Sequence, residues 1–338
     1  MRDASAPFSL GIFARQPGQA FLGVVRGRQV VPLPALFAEG AGWPGGPLPQ
    51  TLFDLLQDWP AAFRALVQAV GDARRWDALS PMDWDTLAVL PPLPQARQIV
   101  CTGANYRKHV IDLVAAQGAG GEYQGMTPEE RRAAAARRVD ERAAKGLPYA
   151  FPKLSSALCG PRDDLVVPKD ATQLDWELEL GVVIGRTGWR VPRERALDIV
   201  AGYMIVNDVT RRELVYREDM RAIGTDWLRS KSGPGFMPHG PLFVPAAFIP
   251  DPHQLHLRLE VNGQVMQDET TADMMFGVER QIEYLTAFVR LGPGDIVATG
   301  SPAGNGMHHG RFLQAGDVMR GSITGLGEQI NRCIPEEA

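Results

Sequence analysis

The chain has 338 residues, 22% of them charged and 45% in the hydrophobic set, which fits a folding chain with a substantial core and excludes a disordered one. Its 35 Lys and Arg stand against 39 Asp and Glu, and the formal net charge of −4 gives no general attraction for nucleic acid or an anionic membrane, so a small-molecule partner is expected. No apolar run reaches the ~18 residues of a spanning helix, and residues 1–20 lack the pattern of a secretory leader, so a cytoplasmic location is expected. Cys101, Cys159 and Cys333 are odd in number and far apart, and indicate neither a disulfide framework nor a CxxC metal site.

Residues 8–33 read as short strands punctuated at Gln16-Pro17-Gly18 and Arg26-Gly27-Arg28, and residues 51–69 as a helix capped by Thr51. Pro91-Pro92-Leu93-Pro94 excludes regular helix and stiffens the chain. The boundary is placed there, leaving 1–92 as a small N-terminal α+β domain and 93–338 as a second, larger one. In the second domain strands are expected at 174–185, 202–209, 255–266 with a hairpin turn at Asn262-Gly263, 294–299 and 316–325, and helices at 193–200 and 273–289. The class is therefore α+β and β-rich. Within 113–147, Thr127-Pro128-Glu129-Glu130 supplies an N-cap, a first-turn proline and two acids, and Gly146 closes the helix. Its apolar stripe is mainly alanine with Val139, so weak docking is expected. Gly118, Gly120 and Gly121 at one end and Gly146 at the other suggest a mobile cover, with a fixed surface helix used in subunit packing as the alternative.

In Asp175-Trp176-Glu177-Leu178-Glu179-Leu180 the acids alternate with large apolar residues, and period two puts the carboxylates on one face of a strand. Same-face residues are about 6.6 Å apart, so these charges repel unless water or a cation intervenes. The strand continues into the apolar Gly181-Val182-Val183-Ile184-Gly185, typical of a buried strand, where glutamates need a counter-ion. A third carboxylate, Asp208, ends the apolar stretch 202–207. Glu177, Glu179 and Asp208 are thus expected to hold a divalent cation, with Mg²⁺ favoured and Mn²⁺ or Ca²⁺ possible. His109 and Asp112 are three apart on one helical turn, a spacing that lets an acid orient a histidine acting as a base.

The ordered set Gly103 to His109, Phe151-Pro152-Lys153, Asp175 to Gly185, Gly202 to Arg212, Lys231-Ser232, Val261-Asn262-Gly263, Asp273-Met274-Met275-Phe276, Thr299-Gly300-Ser301-Pro302 and Gly316-Asp317-Val318 resembles the fumarylacetoacetate hydrolase family. The resemblance runs from about residue 95 to the C-terminus. It implies a mixed β-sandwich roll, commonly as a homodimer, with the site at its mouth and Glu177, Glu179 and Asp208 as metal ligands. It implies His109 as the base with Asp112 as its acidic partner, and Lys231 stabilising developing negative charge. Tyr106, Lys153, Arg212, Thr299 and Ser301 match positions that contact substrate. Val215, Ser301, Ser230 and Asp112 stand where glutamine, threonine, glycine and glutamate are usual.

The activity so implied is metal-dependent hydrolysis of a carbon–carbon bond in a 2,4-diketo acid of the acylpyruvate or fumarylpyruvate kind, giving pyruvate and a carboxylic acid, within aromatic-compound catabolism. Decarboxylation of oxaloacetate, or isomerisation or hydration of an unsaturated 2-keto acid, uses the same clamp. A non-catalytic domain holding a structural Ca²⁺ and a ligand is the reading from another class.

Overall fold

The computed structural model describes residues 7–37, 43, 44, 46–71, 73–116, 123–220 and 222–337. The first 90 residues contribute an antiparallel five-stranded sheet in the order Met82–Asp83, Gln29–Pro32, Ala20–Arg26, Ser9–Ala14, Ala88–Leu90. Alternation along these strands sends Leu10, Leu22 and Val24 into the main core and Phe13, Val25 and Val30 into a small separate cluster on the opposite face. Thr51 caps the first helix through a reciprocal capping box with Asp54. The single helix expected over 51–69 is divided: Leu52–Gln57 ends at Asp58, and Trp59–Gly71 begins anew. Pro60 explains the break, since its ring lacks an N–H and would clash one turn back, whereas it is tolerated in a first turn.

Two larger sheets form the rest. The middle sheet has six strands in the order Val244–Pro245, Val200–Asn207, Leu178–Ile184, Ile296–Ala298, Ile99–Gly103, Tyr149–Lys153, of which Ile296–Ala298 and Ile99–Gly103 run parallel. Leu178–Ile184 and Val200–Asn207 are buried at every position, so both faces are covered and the sequence reads as a near-continuous apolar run. The other sheet is ordered Gln264–Thr270, His256–Val261, Val318–Ile323, Gly327–Pro335, Leu165–Val167. It packs against the middle sheet closely enough that a Cβ on Gly321 would come within 2.6 Å of Leu178 Cδ1. The hairpin at Asn262-Gly263 forms, with both residues at positive φ. The helix expected over 273–289 is confined to Val278–Phe288, and 193–200 is a 3-10 run over Arg193–Ile199. Among the described residues no helix is long and apolar enough to cross a membrane.

Helices Arg107–Ala116 and Pro128–Lys145 lie against each other outside the middle sheet. The second has the expected cap at Thr127, Pro128 in its first turn and Gly146 at its end. Polar contacts accompany its alanine stripe. Ala135 and Val139 are buried against Ile111, and polar ties run from Arg107 to Asp140, from Arg132 to Asp112 and from Arg142 to the Ala104 carbonyl. Small side chains let the helices approach, and hydrogen bonds supply contacts that apolar area does not. Gly118, Gly120 and Gly121, which figured in the expectation of a mobile cover, lie outside the described residues.

Candidate active site

The site is built where the ladder between two strands breaks. Leu174–Asp175 pairs with Thr210–Arg211, and the long pairing of Leu178–Ile184 with Val200–Asn207 starts only at Leu178. Between them the backbone donors are taken by side chains: Glu177 N–H donates to Asn207 Oδ1 (2.9 Å) and Leu178 N–H to Gln267 Oε1 (3.1 Å). Buried Trp176 donates its indole N–H to the Gly304 carbonyl at 3.0 Å. Backbone groups buried at a break must be paired in this way, and the pairing fixes the direction of Glu177. Asp208 N–H donates to the Glu177 carbonyl at 2.9 Å, which sets Asp208 opposite Glu177.

Glu177, Glu179 and Asp208 are all buried and present one carboxylate oxygen each within 4.8 Å of one another. Three cationic side chains surround them. Lys153 Nζ donates to Asp208 Oδ1 at 2.5 Å and Lys231 Nζ to Asp208 Oδ2 at 2.6 Å, while Lys231 also reaches Glu177 Oε2. Arg212 spans Asp175, at 2.8 Å, and Glu177 Oε1. Glu179 alone of the trio has no ion pair among the described residues and accepts only the Gly300 N–H, at 2.8 Å. Burial, then Asp208 and Glu177, push its carboxyl well above the usual range. Burial also works to raise Glu177, but Arg212 and Lys231 outweigh it and hold that group low. Three hard oxygen donors with one carboxylate lacking a counter-charge fit a divalent cation of the Mg²⁺, Mn²⁺ or Ca²⁺ kind, with no sulfur or imidazole in the donor set.

His109 is buried at the start of helix Arg107–Ala116 and makes no side-chain hydrogen bond among the described residues. Burial lowers it to about 4 although Glu177 acts to raise it, so the ring is neutral near pH 7 and able to accept a proton. The expected hydrogen-bonded pair with Asp112 is not formed. Asp112 turns to Arg132, at 2.5 Å, with His308 Nδ1 at 3.8 Å from its other oxygen, and acts on His109 only through space. A permanently charged guanidinium is the stronger claimant for a carboxylate than a neutral imidazole. Asp175, grouped with the glutamates by its alternation, serves elsewhere: it takes Arg212 and the Gly306 and Met307 N–H groups.

Tyr106 is fully buried, and its hydroxyl lies beside Thr299 and close enough to Glu179 to feel its charge. Thr299 donates its hydroxyl to the Leu180 carbonyl at 2.9 Å, and Ser301 accepts from Gln267 at 2.9 Å, so both hydroxyls are partly engaged in holding their loop. Trp227, not singled out from sequence, completes the wall: Phe151 stacks on it at 4.6 Å between centroids, with Lys231 Nζ 5.3 Å from the Phe151 ring. An aromatic shelf strengthens the charges near it by excluding water. Gln267, polar at a buried strand position, was the detectable signal for the supporting frame.

The fumarylacetoacetate hydrolase C-terminal family model matches residues 98–334. A Burkholderia lata protein named, provisionally, as a hydrolase is 43% identical over 186 residues, 54% of this chain and 64% of that protein, so the chain spans less than two thirds of the first curated relatives it matches. A mitochondrial oxaloacetate tautomerase of Xenopus laevis is 34% identical over 250 residues, 73% of this chain and 69% of that one. The solved maleylpyruvate hydrolase of Sphingobium sp. SYK-6, in complex with manganese(II) and pyruvate, superposes with a TM-score of 0.70 at 26% identity over 97% of this chain and 100% of that one. The likeness extends over both the N-terminal unit and the sandwich, and the chain is an enzyme of the fumarylacetoacetate hydrolase family.

Proposed function

We propose that the protein hydrolyses the C3–C4 bond of a 2,4-diketo acid of the acylpyruvate or fumarylpyruvate class, yielding pyruvate and a carboxylic acid, with Glu177, Glu179 and Asp208 holding Mg²⁺. The observation that carries this reading is a buried His109 next to a carboxylate trio ringed by Lys153, Arg212 and Lys231. A bound divalent cation supplies Lewis-acid polarisation of the 2-keto oxygen. His109 takes a proton from water, whose oxygen attacks the C4 carbonyl. Collapse of the tetrahedral adduct breaks C3–C4 and leaves the electron pair on the three-carbon fragment as an enolate, which accepts a proton at C3 to become pyruvate. The Lys231 ammonium is assigned to offsetting that developing charge, and the Tyr106 hydroxyl to a substrate oxygen. Thr299 and Ser301, with Lys153 and Arg212, are assigned to binding the keto-acid end.

A second reading, enolate chemistry without water, draws support from the Xenopus laevis relative and from Asp112 being committed to Arg132 rather than His109. We further propose that 1–92 is a small N-terminal domain, that the enzyme works as a cytoplasmic homodimer, and that it serves aromatic-compound catabolism. The deciding experiment offers acylpyruvate, fumarylpyruvate and oxaloacetate with Mg²⁺ and identifies products by NMR. Pyruvate plus the matching acid in equal amounts supports hydrolysis. Oxaloacetate tautomerised or decarboxylated, with the diketo acids untouched, would replace it with the second reading.

A further inference from the structure

One side chain reaches across the sandwich and joins two parts of the site. Gln267 lies on strand Gln264–Thr270 of the sheet that packs on the middle one, and it is fully buried, a costly place for an amide unless its polar atoms are paired. Both of them are. Its Oε1 accepts the Leu178 N–H at 3.1 Å, and its Nε2 donates to Ser301 Oγ at 2.9 Å and to the Pro302 carbonyl at 3.0 Å. Leu178 stands between Glu177 and Glu179, and Ser301 belongs to the loop assigned to the keto-acid end. The strand comes near enough for this reach because Gly304 has no side chain: a Cβ there would lie 2.0 Å from the Met266 carbonyl oxygen.

The partners of this amide fix its direction. Flipped, it would set its N–H groups against the Leu178 N–H and its oxygen against the Pro302 carbonyl, two repulsive contacts in place of two bonds. Nε2 therefore faces Ser301, and because an amide nitrogen only donates, the Ser301 oxygen accepts. The hydroxyl still has its one proton to give. Within the protein its acceptor is the adjacent Pro302 carbonyl at 3.3 Å, which Gln267 already holds at the shorter distance. An acceptor from outside can thus compete for that proton. The loop is also tied to the carboxylate trio directly, by the Gly300 N–H donating to Glu179 Oε2 at 2.8 Å.

Resting on the proposed 2-keto acid reading, we propose that Gln267 is a positioning residue that makes the Ser301 hydroxyl a hydrogen-bond donor to the substrate's keto-acid carboxylate. Gln267 touches no substrate atom itself. It sets the polarity of Ser301 by donating to its oxygen and by occupying the Pro302 carbonyl, and through Leu178 it keeps that hydroxyl in register with Glu177 and Glu179. Without it, the Pro302 carbonyl takes the Ser301 proton.

The test is calorimetric titration of pyruvate into the Mg²⁺-loaded protein, with Mn²⁺ titration of each chelator-treated variant as a second readout. Ser301→Ala and Gln267→Met should each weaken pyruvate binding by about tenfold, the effect of one hydrogen bond to a charged group, and leave Mn²⁺ affinity unchanged. The double variant should bind pyruvate no more weakly than Ser301→Ala alone, because Gln267 acts only through the hydroxyl. Should Gln267→Met fail to fold, Gln267→Glu has nearly the same shape. At about pH 8 its carboxylate can only accept, so the Ser301 proton turns inward, and adding Ser301→Ala should change pyruvate affinity no further. Full pyruvate affinity in the Gln267 variant, losses that add in the double variant, or Mn²⁺ binding that falls together with pyruvate binding would overturn this assignment and leave the keto-acid reading standing. A wild type that does not bind pyruvate would instead remove the keto-acid reading, and this one with it.

Discussion

Two regions of this molecule are rich in opposite charges, and they use them in opposite ways. In the sandwich, Glu177, Glu179, Asp208 and Asp175 are buried with Lys153, Arg212 and Lys231. In the helical pair Arg107–Ala116 and Pro128–Lys145, the Arg107–Asp140 pair is about half exposed. Water screens this exposed pair, and such pairs contribute little to stability. The first set has lost its water, so each charge depends on its neighbours and removal of one exposes the rest. Buried charge of this kind is a poor way to stabilise a fold and a good way to build an electrostatically prepared site.

The largest expected effect follows from breaking the buried set. Lys231→Met leaves Glu177 and Asp208 facing each other with one cation fewer, and should cost about 3–5 kcal/mol in a urea unfolding experiment on chelator-treated protein, together with turnover. Unchanged stability would mean that the cluster is less coupled than its geometry implies. His109→Ala should lower hydrolysis by about 10²–10⁴-fold, the usual share of a positioned base. With the metal kept saturating, burial that holds the ring down to about 4 should put the histidine's acid limb of kcat/KM near pH 4 rather than ~6.5, and a limb near 6.5 would show the ring to be solvated in the free enzyme.

A moderate effect is expected from His239, fully buried away from the carboxylates, where its Nε2 accepts the Leu93 N–H at 3.2 Å beneath the proline-rich linker. Burial lowers this ring to about 4 against an unfolded value of about 6.5. Between those values the unfolded chain takes up a proton that the folded chain refuses. Its stabilising share is therefore complete above pH ~6.5 and lost as pH falls toward 4. His239→Gln should flatten that part of the stability–pH curve, and an unaltered slope would contradict the assignment. The smallest effect belongs to the exposed pair: Asp140→Asn should leave the thermal midpoint unchanged within error, and a clear drop would show that the helix depends on its polar ties.

The difference between the regions also explains what could be read from sequence. Glu177 and Glu179 were legible because acids alternating on an otherwise apolar strand are a visible anomaly, and Asp208 because it ends a second apolar run. The caps at Thr51 and Thr127 were legible because capping is local chemistry. What was not legible depends on long-range choice. Asp112 is three residues from His109 but pairs with Arg132, and Asp175 shares the alternation of the glutamates but turns to Arg212 and the turn at Gly306. The strands Ile99–Gly103 and Tyr149–Lys153 are five residues each, the second holding a proline, and only their pairing with each other and with Ile296–Ala298 defines them.

The central claim is that Glu177, Glu179 and Asp208 together form a divalent cation site. Calorimetric titration of Mn²⁺ into chelator-treated protein tests it directly, comparing the wild type with Glu179→Gln, which keeps the shape of the side chain and removes its charge. Saturable binding by the wild type, strengthening as pH rises because the raised Glu179 carboxyl must give up its proton, and loss of that binding in Glu179→Gln are the predicted results. Equal Mn²⁺ affinity in the two proteins would contradict the claim.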